Sequence, residues 1–260
     1  MSGNHGRFIW CELMTPDTAG GKAFYSDVVG WSAQEMPGPD GTYTRFEADG
    51  YGVGGMMRLS DQHKAHGVPP NWTGYICSDD VDADCAKAER LGGKVMNPAS
   101  DIPGIGRFAI VADPAGAVFA MMTPAPMDQE RGAPPKGAQG LVGWNELMGG
   151  EPKDALAFYG EMFGWRAGEA HDMGPMGVYQ LFRNQDGEVG GMMKRPPHMP
   201  VSAWNYYFTV PDIKAAADRV TSAGGQIING PMEVPGGDWV LQGQDPQGAM
   251  FALTTGGPRP

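Results

Sequence analysis

The sequence predicts an α+β protein in which one unit, half of the 260-residue chain, is written twice. Three observations carry that reading. The first is an internal repeat. Trp10-Cys11-Glu12-Leu13 returns as Trp144-Asn145-Glu146-Leu147, and AFYSDVVGW from Ala23 returns as AFYGEMFGW from Ala157. Gly54-Gly55-Met56-Met57 returns unchanged as Gly190-Gly191-Met192-Met193, and Asp113-Pro-Ala-Gly116 returns as Asp245-Pro-Gln-Gly248. The matched residues keep a nearly constant separation, as duplication requires. The second is the order of elements within each half: strand, helix, three strands, then the same again. The third is composition. With 41 Gly and 23 Pro, the chain favours turns and short strands over long helices.

The elements of the first half follow from local pattern. Residues 7–14 alternate as a strand. Residues 17–29 form a helix that Asp17 caps, that Phe24 and Val28 stripe, and that Gly30 stops. Residues 37–41, PGPDG, are a turn. Residues 43–48 and 51–59 form a hairpin about Asp49-Gly50. The second unit runs through a strand at 72–78, a helix at 81–91 ended by Gly92-Gly93, and strands at 94–97, 107–112 and 117–122. Four βαβββ units result, beginning near residues 8, 72, 142 and 204. The expected domains are 1–124 and 141–260. The Pro- and Gly-rich stretch 125–140 joins them as a semi-extended connector.

Hydrophobic residues make up 41% and charged residues 19%, a globular balance. The net charge of −11 disfavours nucleic acid and anionic membrane surfaces as partners. Three cysteines without a CxxC pair argue against a disulfide framework. The N-terminal stretch has no apolar signal core, and no apolar run reaches membrane-spanning length. A soluble cytoplasmic protein, monomer or homodimer, is the expectation.

A duplicated βαβββ unit, with AFY…GW after the first strand and DPxG before the last, resembles the vicinal oxygen chelate superfamily. This is the glyoxalase, bleomycin-resistance and extradiol-dioxygenase group. The resemblance covers nearly all the chain outside the connector. The tandem W-x-[DE]-L…AFY…GW…GG pattern further looks like a bacterial subgroup of two-domain glyoxalase-like proteins. The resemblance implies two tandem domains, each of two βαβββ units curled around a cleft. It also implies metal ligands on the first and last strands of the units.

At those positions the family ligands are replaced. The first-strand ligand lies seven residues before the acid that opens the helix. Counting back from Asp17, Asp80, Glu151 and Asp212 gives Trp10, Thr73, Trp144 and Asn205. The last-strand Glu, four residues beyond the Gly of DPxG, is replaced by Ala120 and Ala252. Gly-Gly-Met-Met supplies no carboxylate on the remaining strands. Indole does not chelate, and Thr or Asn suits a transition ion poorly. No metal and no other cofactor is expected.

Glu12 and Glu146 each lie two residues beyond a Trp at the ligand position, so each shares that Trp's face. Two readings stand. Each is a general base whose pKa is raised by apolar surroundings, or each is a structural carboxylate paired to an Arg or to backbone amides between the domains. Trp10 and Trp144 with Tyr75 and Tyr207, beside Thr73 and Asn205, form either an aromatic wall for a flat ligand or plain core. Met56 and Met192 suit an adaptable pocket or an ordinary core. His66 and His198 each precede a Trp by six residues, either at the cleft mouth or in a solvated loop. Cys77 shares the Thr73 face, as a reactive thiol or as buried packing; Cys11 points the other way.

Three functions compete. The first is a metal-independent binder of a small apolar or aromatic molecule. The second is a glyoxalase-type lyase or isomerase using Glu12 and Glu146 as bases. The third is an inactive scaffold in which Trp and Glu serve the domain interface.

Overall fold

The computed structural model describes residues 3–38, 41–126 and 137–256. The first half runs β1 (Phe8–Thr15), α1 (Thr18–Val28), β2 (Ser32–Gly38), β3 (Gly41–Ala48), β4 (Tyr51–Arg58), α2 (Asp61–Ala65), β5 (Asn71–Cys77), α3 (Val81–Arg90), β6 (Lys94–Ile102), β7 (Gly106–Ala112) and β8 (Val118–Pro124). The second half runs β9 (Val142–Gly149), α4 (Pro152–Phe163), β10 (Arg166–Asp172), β11 (Val178–Asn184), β12 (Gly187–Lys194), β13 (Ala203–Thr209), α5 (Ile213–Ser222), β14 (Gln226–Glu233), β15 (Trp239–Gln244) and β16 (Met250–Thr254). Each half closes its own eight-stranded sheet, in the orders β2-β3-β4-β1-β5-β8-β7-β6 and β10-β11-β12-β9-β13-β16-β15-β14. The two βαβββ units of a domain meet where β1 pairs antiparallel with β5, and β9 with β13. The first strand of each unit pairs parallel with its last.

The caps are those the sequence marks. Asp17 accepts from the Gly20 amide at 3.0 Å, and Asp80 from Ala83 at 3.0 Å. Gly30, at φ +89°, turns the chain out of α1 in a conformation costly for any residue with a Cβ. Two elements differ from expectation. Between β4 and β5, where no element is predicted, the short helix α2 forms, capped by Ser60 Oγ accepting from the His63 amide. Strand β6 continues to Ile102, well past residue 97. Of the PGPDG turn, residues 39 and 40 lie outside the described residues, as do residues 127–136 of the connector. The connector's end is docked: the Gly140 amide donates to Thr209 O (2.8 Å), and Trp31 Nε1 donates to Gly140 O (3.0 Å).

One face of each sheet packs on helices, and the two helical layers share a single core. Leu13, Met56, Ile76 and Met121 belong to the same buried cluster as Phe24, Tyr25, Phe158, Tyr159, Phe208 and Phe251. Aromatic pairs cross between the domains: Trp31 with Phe208 at 4.8 Å, Trp72 with Phe208 at 4.9 Å and Phe24 with Phe251 at 5.4 Å. Each such pair contributes about 0.5–1.5 kcal/mol beyond area burial.

A reciprocal polar relay runs through this core. Trp72 Nε1 donates to Tyr25 Oη (2.8 Å), and Tyr25 donates to Asp245 Oδ2 in the other domain (3.0 Å). In mirror image, Trp204 Nε1 donates to Tyr159 Oη (2.9 Å), which donates to Asp113 Oδ2 (3.2 Å). The AFY tyrosine of each domain thus docks on the DPxG turn of the other. His5 adds a further tie, accepting from the Asp79 amide through Nδ1 (3.2 Å) and reaching Met162 O through Nε2 (3.1 Å). Among the described residues, no helix is long and apolar enough to cross a membrane.

Candidate functional site

The face of each sheet away from the helices carries the candidate groups, and register decides which they are. Glu12 lies beside Gly55 on β4 and Thr73 on β5; Trp10 lies beside Tyr75, which lies beside Ala120 on β8. Residues paired directly across strands point to the same face. The face therefore gathers Trp10, Glu12, Gly55, Thr73, Tyr75 and Ala120. In the second domain the same pairing gathers Trp144, Glu146, Gly191, Asn205, Tyr207 and Ala252.

Met56 and Met192 are corrected by this register. Each pairs with a core leucine, Leu13 or Leu147, and each is fully buried on the helical face. Side chains alternate along a strand, so Gly55 on the open face sends Met56 to the closed one and returns Met57 to the open one. Met57 and Met193 are the half-buried methionines of the open face.

At the centre of each face a carboxylate is held by phenols. In the first domain, Tyr75 donates to Glu12 Oε1 at 3.0 Å and Trp10 Nε1 donates to Tyr43 Oη at 3.0 Å; Tyr43 is also hydrogen-bonded to Glu12. In the second, Tyr179 donates to Glu146 Oε1 (3.1 Å), Tyr207 to Oε2 (2.8 Å) and Gln242 Nε2 to Oε2 (2.9 Å), while Trp144 Nε1 donates to Tyr179 Oη (2.9 Å). Among the described residues, the hydrogen bonds to these carboxylates come from side chains of their own sheet, not from an Arg or from backbone amides between the domains.

Tyr43, Tyr179 and Gln242 escaped the sequence reading. The signal for the tyrosines was Gly55 and Gly191. A Cβ on Gly55 would stand 1.7 Å from Tyr43 Oη, and one on Gly191 2.3 Å from the Tyr179 ring. A bare strand glycine opposite a hairpin tyrosine leaves room for the ring to lie across the sheet.

Burial raises both carboxyl pKa values above their ordinary range, opposed by the hydrogen bonds from Tyr75 and Tyr43 at Glu12 and from Tyr207, Tyr179 and Gln242 at Glu146. Burial, with the neighbouring carboxylate, pushes Tyr43, Tyr75, Tyr179 and Tyr207 upward too, so the phenols remain donors. A raised carboxyl stabilises the fold fully below its ordinary value of 4.5, and that contribution is lost as pH rises through the raised value. Glu146→Gln removes this titration. Urea midpoints measured from pH 4 to about pH 8 are expected to fall less steeply in the variant than in the parent.

The other candidates lie elsewhere. His66 and His198 are exposed. Cys11 and Cys77 are buried, and burial raises both thiols, so neither is an activated thiolate. A cavity of about 460 Å³ is lined by Glu151, Lys153, Leu156, Val178 and Gln180 on α4 and β11, away from both carboxylates. Gln180 Nε2 is committed to backbone carbonyls there.

The donor set does not fit a resident divalent ion. The four positions around Glu12 are Trp10, Gly55, Thr73 and Ala120, and those around Glu146 are Trp144, Gly191, Asn205 and Ala252. Among the described residues no three His, Cys, Asp or Glu side chains converge. One carboxylate already accepting from neutral phenols is not the set of three or more N, O or S⁻ ligands such an ion takes.

The sheet topology and these faces define the class of protein. The model of the Glyoxalase/Bleomycin resistance protein/Dioxygenase superfamily matches residues 7–121 and 142–253, and the chain belongs to that superfamily. It is 34% identical over 253 residues to the Mycobacterium tuberculosis protein named "Putative glyoxylase CFP32", covering 96% of this chain and 95% of that one. It is 32% identical to the anthracycline biosynthesis protein DnrV of Streptomyces peucetius, covering 94% and 91%. In structure it is similar to the Mn(II)-bound glyoxalase from Novosphingobium aromaticivorans, with TM-score 0.61 and 21% identity over 96% of this chain and 81% of that one. It is also similar to the 2,3-dioxygenase LapB from Pseudomonas sp. KL28, with TM-score 0.68 and 14% identity over 99% and 95%.

Proposed function

We propose that this glyoxalase-like protein binds a small, flat, apolar or aromatic molecule on the open faces of its sheets, without a resident metal. The observation that carries the reading is an indole at the first-strand ligand position and, beside it on the same face, a carboxylate held by two phenols. Trp and Tyr supply broad, rigid contact surface, and a few placed polar groups orient a ligand. In the first domain Tyr75, Ala120 and Met122 are buried together, with Trp10, Ile102, Phe108 and Ile110 packed against them. The relatives named for anthracycline biosynthesis support a fused-ring aromatic ligand. The partner is a small molecule rather than nucleic acid or membrane, met in the cytoplasm by a monomer or homodimer.

Calorimetric titration with 2-naphthol tests this. Saturable binding is expected to survive dialysis against EDTA and to weaken about tenfold in Trp10→Ala, a loss of about 1.4 kcal/mol. Binding that vanishes on EDTA treatment and returns with Mn²⁺ would sink the metal-free reading.

The raised carboxyls support a second reading, a lyase or isomerase in which Glu12 or Glu146 removes a proton. Its mark is deuterium uptake from D₂O into an enolisable dicarbonyl, abolished by Glu12→Gln together with Glu146→Gln. Uptake that persists in the double variant rules it out.

A further inference from the structure

The duplicated faces are not chemically equivalent. On β7, Ile110 pairs with Ala120; at the matching place on β15, Gln242 pairs with Ala252. The Gln242 amide donates to Glu146 Oε2 at 2.9 Å and to Tyr207 Oη at 2.7 Å. Glu146 consequently accepts from three side chains and is 7% exposed. Glu12 has an isoleucine where that third donor would be, and it is half-buried rather than buried. Its carboxylate keeps room for one more hydrogen bond, beside an apolar wall.

The second difference has the opposite sense. Thr73 beside Glu12 is satisfied, donating to Asn71 Oδ1 at 2.9 Å. Asn205 takes that place beside Glu146. It is 5% exposed, yet its Nδ2 has no acceptor. A buried amide donor without a partner is costly, and an incoming acceptor would recover that cost. The wall around it is also more polar, with Val240, Gln242 and Thr254 where the first domain has Phe108, Ile110 and Met122.

We infer that the two clefts have opposite hydrogen-bond polarity: the first takes an aromatic molecule through a hydroxyl that donates to Glu12, and the second takes one through a carbonyl oxygen that accepts from Asn205. This rests on the binding reading above and specifies it. Ile110 and Gln242, with Thr73 and Asn205, are then the residues that set selectivity.

Calorimetry of the whole chain with two probes decides the matter. 2-Naphthol offers a hydroxyl, and 1-indanone offers only a carbonyl. Each is expected to bind at one site per chain. Ile110→Gln imports the residue that the second domain holds in the same register. It is expected to weaken 2-naphthol at least about tenfold and to leave 1-indanone unchanged, the ratio that a charge-assisted hydrogen bond of about 1.5–3 kcal/mol commands. Asn205→Leu, which keeps the branched outline and removes the orphaned donor, is expected to do the reverse. If Ile110→Gln does not fold, Glu12→Gln is to be read in its place, with the same expected loss of 2-naphthol. Two equivalent sites for either probe, or one variant weakening both probes alike, overturns the polarity assignment and leaves the binding function standing. Absence of saturable binding by either probe overturns the binding function itself.

Discussion

Asp245→Ala is expected to lower stability by about 2–6 kcal/mol, a large part of the 5–15 kcal/mol that usually separates folded from unfolded chains. Asp245 Oδ1 accepts from the Gln247 amide (2.9 Å) and the buried Ala249 amide (2.9 Å), while Oδ2 accepts from buried Tyr25 (3.0 Å). Alanine strands two buried donors at about 1–3 kcal/mol each. Asp245→Asn keeps the Oδ1 acceptor and so keeps the turn; it is expected to lose only the share belonging to Tyr25. The midpoint of urea unfolding measures both. An Asp245→Ala midpoint equal to the parent's would show that the relay contributes nothing. Asp113→Ala is expected to match, because Asp113 accepts from the Ala115 and Ala117 amides and from Tyr159 in the same way.

The second large effect is on the site. Gly55→Ala puts a methyl group 1.7 Å from Tyr43 Oη and 2.4 Å from its Cζ. The ring has to leave the sheet, and Trp10 and Glu12 both lose it as a partner. Binding of 2-naphthol is expected to fall about tenfold or more, with a stability cost of about 1–3 kcal/mol from overpacking. Gly54→Ala is the control. Its methyl group would meet Cys11 O at 3.0 Å on the other side of the strand, so it strains the sheet without touching Tyr43. Calorimetry that finds Gly55→Ala binding like the parent would remove Tyr43 from the site.

Much of this architecture was legible from period and repeat alone. Strand alternation put Trp10 with Glu12 and Thr73 with Tyr75 on shared faces, and the Asp17 and Gly30 signals bounded α1. What escaped was whatever depends on cross-strand register or on the other domain. Assigning Met56 to its face requires the Glu12–Gly55 pairing, which no single strand reveals. Tyr43 enters the site from a strand whose register shifts at a bulge near Phe46, and Gln242 through its pairing with Ala252 on β16. Tyr25 and Asp245 are far apart in sequence, and their motifs read locally as a helix stripe and a turn. Only the packed core shows them as donor and acceptor.

The crossing of these contacts bears on how the chain came to its present length. Each half contains both kinds of partner, a tyrosine in its first helix and an aspartate in its last turn, and bonds neither to the other. Tyr25 goes to Asp245 and Tyr159 to Asp113. A half-length ancestor could satisfy its buried tyrosine and aspartate in this arrangement only by exchanging them with a second copy of itself. Two identical half-length chains would make these crossed contacts as a symmetric pair; the present chain makes them within one molecule. One chain can hold different residues at matching places, Ile110 and Gln242, where the two copies of a homodimer must be identical.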